Sequence, residues 1–195
     1  EDMRFFKQFE TSGYKALEEL RKHGYIKAVG LGVNEVEICE RVMNIGQFDC
    51  FLLAGRYSLL EQAPVHEFLP KCEAHGASII LGGPYNSGIL ATGVSGNATP
   101  YYDYVPAPKH IIDRVAKIEA VCADYHVTLA AAALQFPLGH PAVASVIPGL
   151  GSAKRVQHTS ELFNEAIPAE FWQTLKNESL LDQSAPLPSK AINAS

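Results

Sequence analysis

Positive charge is scarce in this chain. Its 16 lysines and arginines face 21 aspartates and glutamates, giving a formal net charge of −5. Nucleic acids and anionic membranes reward clustered cations, and here the cations are few and scattered, so neither is expected as a main partner. Long apolar runs are missing too. No stretch approaches the ~20 residues of a membrane-crossing helix, and no leader with a basic start and an apolar middle is visible. The expectation is a chain with no membrane span and no secretory signal. Cysteine is limited to Cys39, Cys50, Cys72 and Cys122, with no C-x-x-C pair. Each sits in an apolar or amphipathic segment, where a thiol behaves as a small hydrophobe. This composition points to a reduced, cytoplasmic protein without disulfides or zinc. The seven histidines show no metal-ligand spacing. Nor is there a G-x-S-x-G, an H-E-x-x-H or a P-loop to supply a nucleophile, a metal or a phosphate cradle. The adjacent acids Glu18 and Glu19 read as a solvated helix face.

What is present is a repeating pattern. A chain of 195 residues with 47% hydrophobic content is expected to form one domain with a real core. An amphipathic helix ends at a glycine, and an apolar run follows. Residues 14–23 read as a helix with Tyr14, Leu17 and Leu20 on one side, closed by Gly24. A strand is expected over 26–31, and then a helix capped by Asn34 with Glu37 three residues on. A second strand spans 50–54. A helical region follows from Pro64 to Gly76, with Pro70 shortening or delaying it. A third strand spans 78–81. Residues 85–107 form a long irregular segment with three tyrosines, Tyr101, Tyr102 and Tyr104. Loops this long are usually functional or disordered. A helix is expected from Pro108, and a further one capped by Thr128 and ending at Gly139. Two more follow the last strand, the final one turning Phe171, Trp172 and Leu175 inward. The segment from Asp182 to Ser195 reads as a surface tail behind a unit spanning 1–181.

Continuous apolar strands alternating with helices imply a parallel sheet covered by helices. Two architectures satisfy this: an open doubly wound sheet, or part of a (β/α)8 barrel. Four parallel strands are few for a complete fold, so the expectation is about the last four βα units of a TIM-type barrel.

The stretch from Val143 to Val156 carries the clearest chemical pattern. Val143 to Ile147 is an apolar run stopped by Pro148 and Gly149. Ser152 is placed to cap a helix containing Lys154 and Arg155. A strand, a glycine turn and a helix start leave backbone N–H groups aimed at one spot, which suits a phosphate. The same pattern also fits a plain β-to-α connection with a solvated Arg155, and the residues alone leave both open. Gly30-Leu-Gly32-Val-Asn-Glu35 lacks the third glycine of a dinucleotide fingerprint. Glu35 stands there instead, where its charge would repel a pyrophosphate.

Several segments in order resemble the aldo-keto reductase superfamily: Ile26-Lys-Ala-Val-Gly-Leu-Gly-Val-Asn34, Leu53-Ala-Gly-Arg-Tyr-Ser-Leu-Leu60, Gly82-Gly-Pro-Tyr-Asn-Ser-Gly-Ile-Leu90, Ile147-Pro-Gly149 and Ile167-Pro-Ala-Glu-Phe-Trp172. Within it, they are most similar to the branch of L-fucose and D-threo-aldose 1-dehydrogenases and pyridoxal 4-dehydrogenase relatives. The resemblance implies an eight-stranded barrel that moves a hydride between NAD or NADP and a carbonyl or alcohol. It implies a small sugar or aldehyde substrate and places cofactor contacts at Gly83, Tyr85, Gly149, Leu150, Gly151, Ser152 and Arg155. It also exposes departures. Gly82 stands where many members stack a tyrosine on the nicotinamide. Ala54 stands where a glutamine commonly holds the carboxamide, and His158-Thr159 replaces the usual Glu-Asn near the adenine. The Asp, Tyr, Lys and His tetrad that handles the proton has no counterpart here, so no catalytic residue is assigned. Two other expectations follow: a non-catalytic half-barrel module that pairs with another copy through open strand edges, and an unrelated open α/β nucleotide-binding domain.

Overall fold

The computed structural model describes residues 5–188. The chain enters through a short helix, α1 (Phe6–Gln8), which runs through a π turn (Phe9–Gly13) into α2 (Tyr14–Lys22). Then come β1 (Gly30–Gly32), α3 (Val36–Met43), β2 (Cys50–Ala54), α4 (Phe68–His75) and β3 (Ser78–Gly82). A short α5 (Ile89–Thr92) and the two-residue strands β4 (Tyr101–Tyr102) and β5 (Val105–Pro106) occupy the segment expected to be irregular. The chain closes with α6 (Lys109–Tyr125), α7 (Leu129–Gln135), β6 (Val143–Ile147), α8 (Ala153–Phe163) and α9 (Ala169–Asn177). Among the described residues, no helix is long and apolar enough to cross a membrane.

The main sheet has the order β1-β2-β3-β6, all parallel. Its alternation is legible in the burial. Phe51, Leu53, Ile79 and Leu81 point to the helices and are at most 1% exposed. Leu52, in register with Gly32 and Ile80, points the other way and is 40% exposed. Ala54, Gly82 and Ile147 form the next row on that open face. Among the described residues the helices cover one face of this parallel sheet and not the other, which makes it an arc of a barrel rather than a doubly wound sheet, as the strand count suggested.

Two aromatic ladders hold the helices to this arc. Tyr14, Phe48, Phe51 and Phe68 follow one another at centroid distances of 5.4, 5.7 and 6.1 Å. Tyr57, Phe136, Trp172 and Phe171 form the second at 5.3, 6.2 and 4.9 Å. The inward face expected of α9 is there: Phe171, Trp172 and Leu175 are buried.

Several boundaries differ from the sequence expectation. β1 is only Gly30–Gly32: its parallel pairing with β2 starts at Gly30 opposite Cys50, and the Val29 carbonyl before it accepts from the Asp49 N–H at 2.8 Å without being part of the strand. The helix expected from Pro64 splits into a single 3-10 turn, Ala63–Val65, and α4. Pro70 is tolerated because it falls in the first turn of α4, where an N–H would have no helical acceptor. Asn34 does not cap α3. Glu35 occupies the cap position without a side-chain bond, and the Asn34 amide oxygen instead accepts from the Ala54 N–H at 3.2 Å. Thr128 stands at the cap of α7 without a side-chain cap bond, while its N–H donates to Glu165 Oε1 at 2.6 Å. Beyond Asp182, Ala185 is fully buried and Leu187 packs on the core. The part of the expected tail from 189 onward lies outside the described residues.

Candidate functional site at the strand ends

The C-terminal ends of β1, β2 and β3 deliver their loops to one rim. There they enclose a cleft of about 210 Å³ lined by Asn34, Ala54 to Arg56, Gly83, Asn86, Ser87, Asp103 and Tyr104. Its floor is a polar knot. The buried Ser58 hydroxyl donates to Asn86 Oδ1 at 2.5 Å and accepts from the N–H groups of Leu60 and Glu61, both at 3.2 Å. Asn86 Nδ2 donates to the Gly55 carbonyl at 3.4 Å. Arg56 Nε donates to the Asn34 carbonyl at 3.1 Å, which holds the guanidinium at the rim.

The backbone around this cleft is unusual. Gly55 and Gly83 take φ of +64° and +59°, and Asn86, Ser87, Asp103 and Tyr104 take +43°, +58°, +48° and +64°. Left-handed backbone costs little for glycine and more for residues with a Cβ. Its concentration around one cleft is what binding sites tend to show. The β4–β5 hairpin roofs the cleft. The Tyr104 N–H donates to Ser87 Oγ at 3.0 Å. The Tyr102 hydroxyl donates to the Glu61 carboxylate, whose pKa burial pushes up. The base of this segment is held by Glu119, which accepts from the Val94 N–H at 3.1 Å and the Ser95 hydroxyl at 3.2 Å.

The residues singled out from the sequence fall in two groups. Gly83 lines the cleft. Tyr85 is half-buried beside it, and burial pushes its phenol pKa up. Gly149, Leu150, Gly151, Ser152 and Arg155 form the exposed turn after β6. Gly82 pairs with Ile147 in the sheet, so the Gly83 and Pro148 loops leave the sheet side by side.

In the second group Ser152 caps α8. Its Oγ accepts from the Arg155 N–H at 3.3 Å. The first-turn N–H groups of α8 have no helical acceptors. The Arg155 guanidinium folds back over the turn: a Cβ built on Gly151 would lie 3.7 Å from Nη1. A Cβ on Gly149 would meet nothing within 4 Å, so the turn is open to solvent. A helix start, whose Arg155 N–H is taken by Ser152 while the N–H groups before it have no helical acceptor, and a guanidinium over an open glycine turn fit a phosphate-bearing cofactor. The inner strand ends fit a ring less closely, since Ala54 and Gly82 offer no polar side chain and no aromatic face.

Sequence reasoning passed over Asn34 as a site residue, as it did Arg56, Asn86 and Asp103. In sequence Asn34 has the look of a helix cap, although its side chain ties the loop after β1 to β2. Asn-Ser-Gly at 86–88 was a visible left-handed signal, while Asp103 reaches the cleft only through the hairpin. Among the described residues, no cluster of three or more His, Cys, Asp or Glu could hold a metal ion.

Comparison with known proteins bears on the family and the fold. The model of the aldo/keto reductase family matches residues 6–178. The chain is 46% identical over 169 residues to pyridoxal 4-dehydrogenase of Microbacterium luteolum, covering 87% of this chain and 49% of that protein. It is 34% identical over 171 residues to D-threo-aldose 1-dehydrogenase of a Pseudomonas species, covering 88% and 52%. Among solved structures, a holo aldo-keto reductase from Bacillus halodurans superposes with a TM-score of 0.66 at 22% identity, over 86% of this chain and 55% of that one. A glycerol dehydrogenase from Gluconobacter oxydans gives 0.64 at 17% identity, over 92% and 56%. The chain thus spans about half the length of the curated relatives it matches. Its four parallel strands have the fold of part of a (β/α)8 barrel, and the chain belongs to the aldo/keto reductase family.

Proposed function

We propose that the turn from Gly149 to Arg155 binds the nucleotide phosphate of NAD or NADP, and that the protein serves hydride transfer between that cofactor and a sugar or aldehyde. The observation that carries this reading is the Arg155 guanidinium lying over the Gly151 turn at the start of a Ser152-capped helix. The side-by-side exit of the Gly83 and Pro148 loops supports it, because one extended ligand can then touch both. The names of the relatives, an aldose 1-dehydrogenase and a pyridoxal 4-dehydrogenase, supply the substrate class.

In this reading each residue has a limited task. Arg155 and the first-turn N–H groups of α8 neutralise a phosphate and fix its position. Gly83 and Gly149 keep the path between the two loops clear of side chains. The hairpin at Tyr102 to Tyr104 borders the cleft with Asp103 and Tyr104, and the knot around Asn86 holds the β2 and β3 loops at a fixed spacing. A bound nicotinamide supplies the hydride-transferring carbon. None of the residues placed here delivers or removes the proton. That task belongs to an acid–base set on βα units that close the sheet at its open edges.

Titration with NADPH and with NADH, followed by cofactor fluorescence, tests the reading. Saturable binding is expected for the wild-type chain. Arg155→Ala should weaken it roughly tenfold, the low end of a charge-assisted bond lost at an exposed site. A larger loss for NADPH than for NADH would put the guanidinium on the 2′-phosphate. Equal affinities for wild type and variant would remove Arg155 from the site.

A further inference from the structure

The β4–β5 hairpin turns on two residues. Tyr101 pairs with Pro106 and Tyr102 with Val105, which leaves Asp103 and Tyr104 as the loop. Both have positive φ, +48° and +64°. A two-residue hairpin loop with both residues in that region is a type I′ turn, and its second position strongly favours glycine. Aspartate is at home in the first position. A tyrosine in the second is an outlier, because its Cβ crowds the backbone. Four consecutive residues fix this turn, so the strain is local to it. Packing does not offset the cost, since Tyr104 is 89% exposed.

The surroundings hold the turn where it is. The Tyr104 N–H donates to Ser87 Oγ at 3.0 Å, and the Tyr102 hydroxyl donates to Glu61. Behind the hairpin, the Ala107 N–H donates to the Pro100 carbonyl at 2.9 Å. A strained residue kept in place at the mouth of a cleft points to a ligand.

The cleft itself says what kind. Part of its wall is bare backbone: the Gly55 N–H donates to the Gly82 carbonyl at 2.8 Å, and a Cβ built on Gly83 would lie 3.6 Å from the Gly55 nitrogen. Ala54 adds only a methyl beside them. Tyr104 is the one aromatic residue among the described residues that line the cleft, and Asn34, Arg56 and Asp103 bring polar groups to it. Its volume, about 210 Å³, is below the ~300–1,000 Å³ of pockets that enclose a whole small molecule. The space therefore suits one ring of a larger ligand. Bare backbone, an aromatic face and polar groups together select a flat ring with a polar substituent.

We propose that Tyr104 binds the nicotinamide ring of the cofactor by stacking its phenol on it. The proposal rests on the nucleotide reading above and adds the residue that holds the reactive ring. The inner strand ends offer no aromatic face, since Ala54 and Gly82 stand there; the hairpin brings one from outside the sheet. In the free protein this ring stands in solvent, and cofactor binding covers it. The left-handed turn is what aims a bulky side chain from the hairpin tip.

Calorimetric titration of the chain with NADH and with ADP-ribose tests this, because ADP-ribose carries the phosphates and the adenine but no nicotinamide. Tyr104→Gly should weaken NADH binding about three- to tenfold, the range of one aromatic stack, and leave ADP-ribose unchanged. Tyr104→Phe keeps the ring and should bind NADH within about twofold of wild type. Tyr104→Gly should also unfold at an equal or higher temperature, because glycine suits the turn. Arg155→Ala checks the phosphate reading separately and should weaken both ligands alike. If Tyr104→Gly leaves NADH affinity unchanged, or weakens both ligands equally, the ring assignment fails while the nucleotide reading stands. A lower unfolding temperature for Tyr104→Gly would mark a packing residue and overturn the assignment too. A wild-type chain that binds neither ligand would overturn both readings.

Discussion

Replacing Tyr57 with phenylalanine should make this protein more stable. Tyr57 is 1% exposed, and among the described residues its buried hydroxyl has no hydrogen-bond partner. The ring is held on two sides, by Phe136 at 5.3 Å and edge-on by His140 at 5.6 Å. Burial and the nearby Asp182 charge push the phenol pKa up, so the group stays neutral. Phenylalanine keeps every ring contact and removes only an oxygen that the described residues leave unpartnered. An unsatisfied buried polar group costs about 1–3 kcal/mol. Recovering about 1–2 kcal/mol should raise Tm by roughly 2–8 °C in a chain of this size. Tyr14→Phe is the matched comparison. Tyr14 is also buried, but its hydroxyl donates to the Gln47 carbonyl at 3.1 Å and accepts from Arg21 Nη2 at 3.4 Å. That variant removes both of these bonds and should lose about 1 kcal/mol, although the Gln47 carbonyl keeps Arg21 Nη2 at 3.1 Å and the guanidinium keeps Asp49 at 2.9 Å. Urea and thermal unfolding of both variants give the two signs. If Tyr57→Phe destabilises as Tyr14→Phe does, the Tyr57 hydroxyl has a partner in solution and the reasoning fails.

Gly139→Ala should destabilise by about 1–3 kcal/mol as an overpacking substitution, because its Cβ would lie 2.7–2.9 Å from backbone atoms of Pro186 to Pro188. Urea unfolding reads the loss, and proteolysis around 182–188 should speed up; an unchanged midpoint would mean that this segment does not pack on Gly139. Burial holds the His140 imidazole below its ordinary 6.5, with the Glu73 charge opposing, and its Nδ1 accepts from the Ala142 N–H at 3.1 Å. The unfolded chain takes up a proton near 6.5 that the folded state resists, so this contribution is complete above that pH and is lost as pH falls below it. A histidine titration followed by NMR should give His140 a midpoint under 6.5, and a midpoint at or above that value would contradict the burial argument.

The order of elements was legible before any coordinates. Residues such as Phe51, Leu53, Ile79 and Leu81 advertise strands buried against helices, and Phe171, Trp172 and Leu175 mark one helix face. Local chemistry was legible too. Ser152 caps α8 as its position predicts, since a cap involves only residues three apart. What stayed hidden was pairing across distance. Asn34 looks like a cap in sequence, yet 20 residues separate it from the Ala54 N–H that it accepts from. Ser58 and Asn86 lie 28 residues apart and share a buried bond. Asp103 reaches the cleft because two short strands turn the chain back on itself.

The amino-acid sequence alone set the alternation of apolar strands and amphipathic helices, the glycine turn after β6 and the lack of a nucleophile or metal motif, because each depends on neighbours within a turn or two of chain. Tertiary structure alone decided which sheet face is bare, which loops share a rim and which polar groups are buried with or without a partner. Those depend on strand order and register, and contacts between distant segments leave no local pattern for a sequence to display.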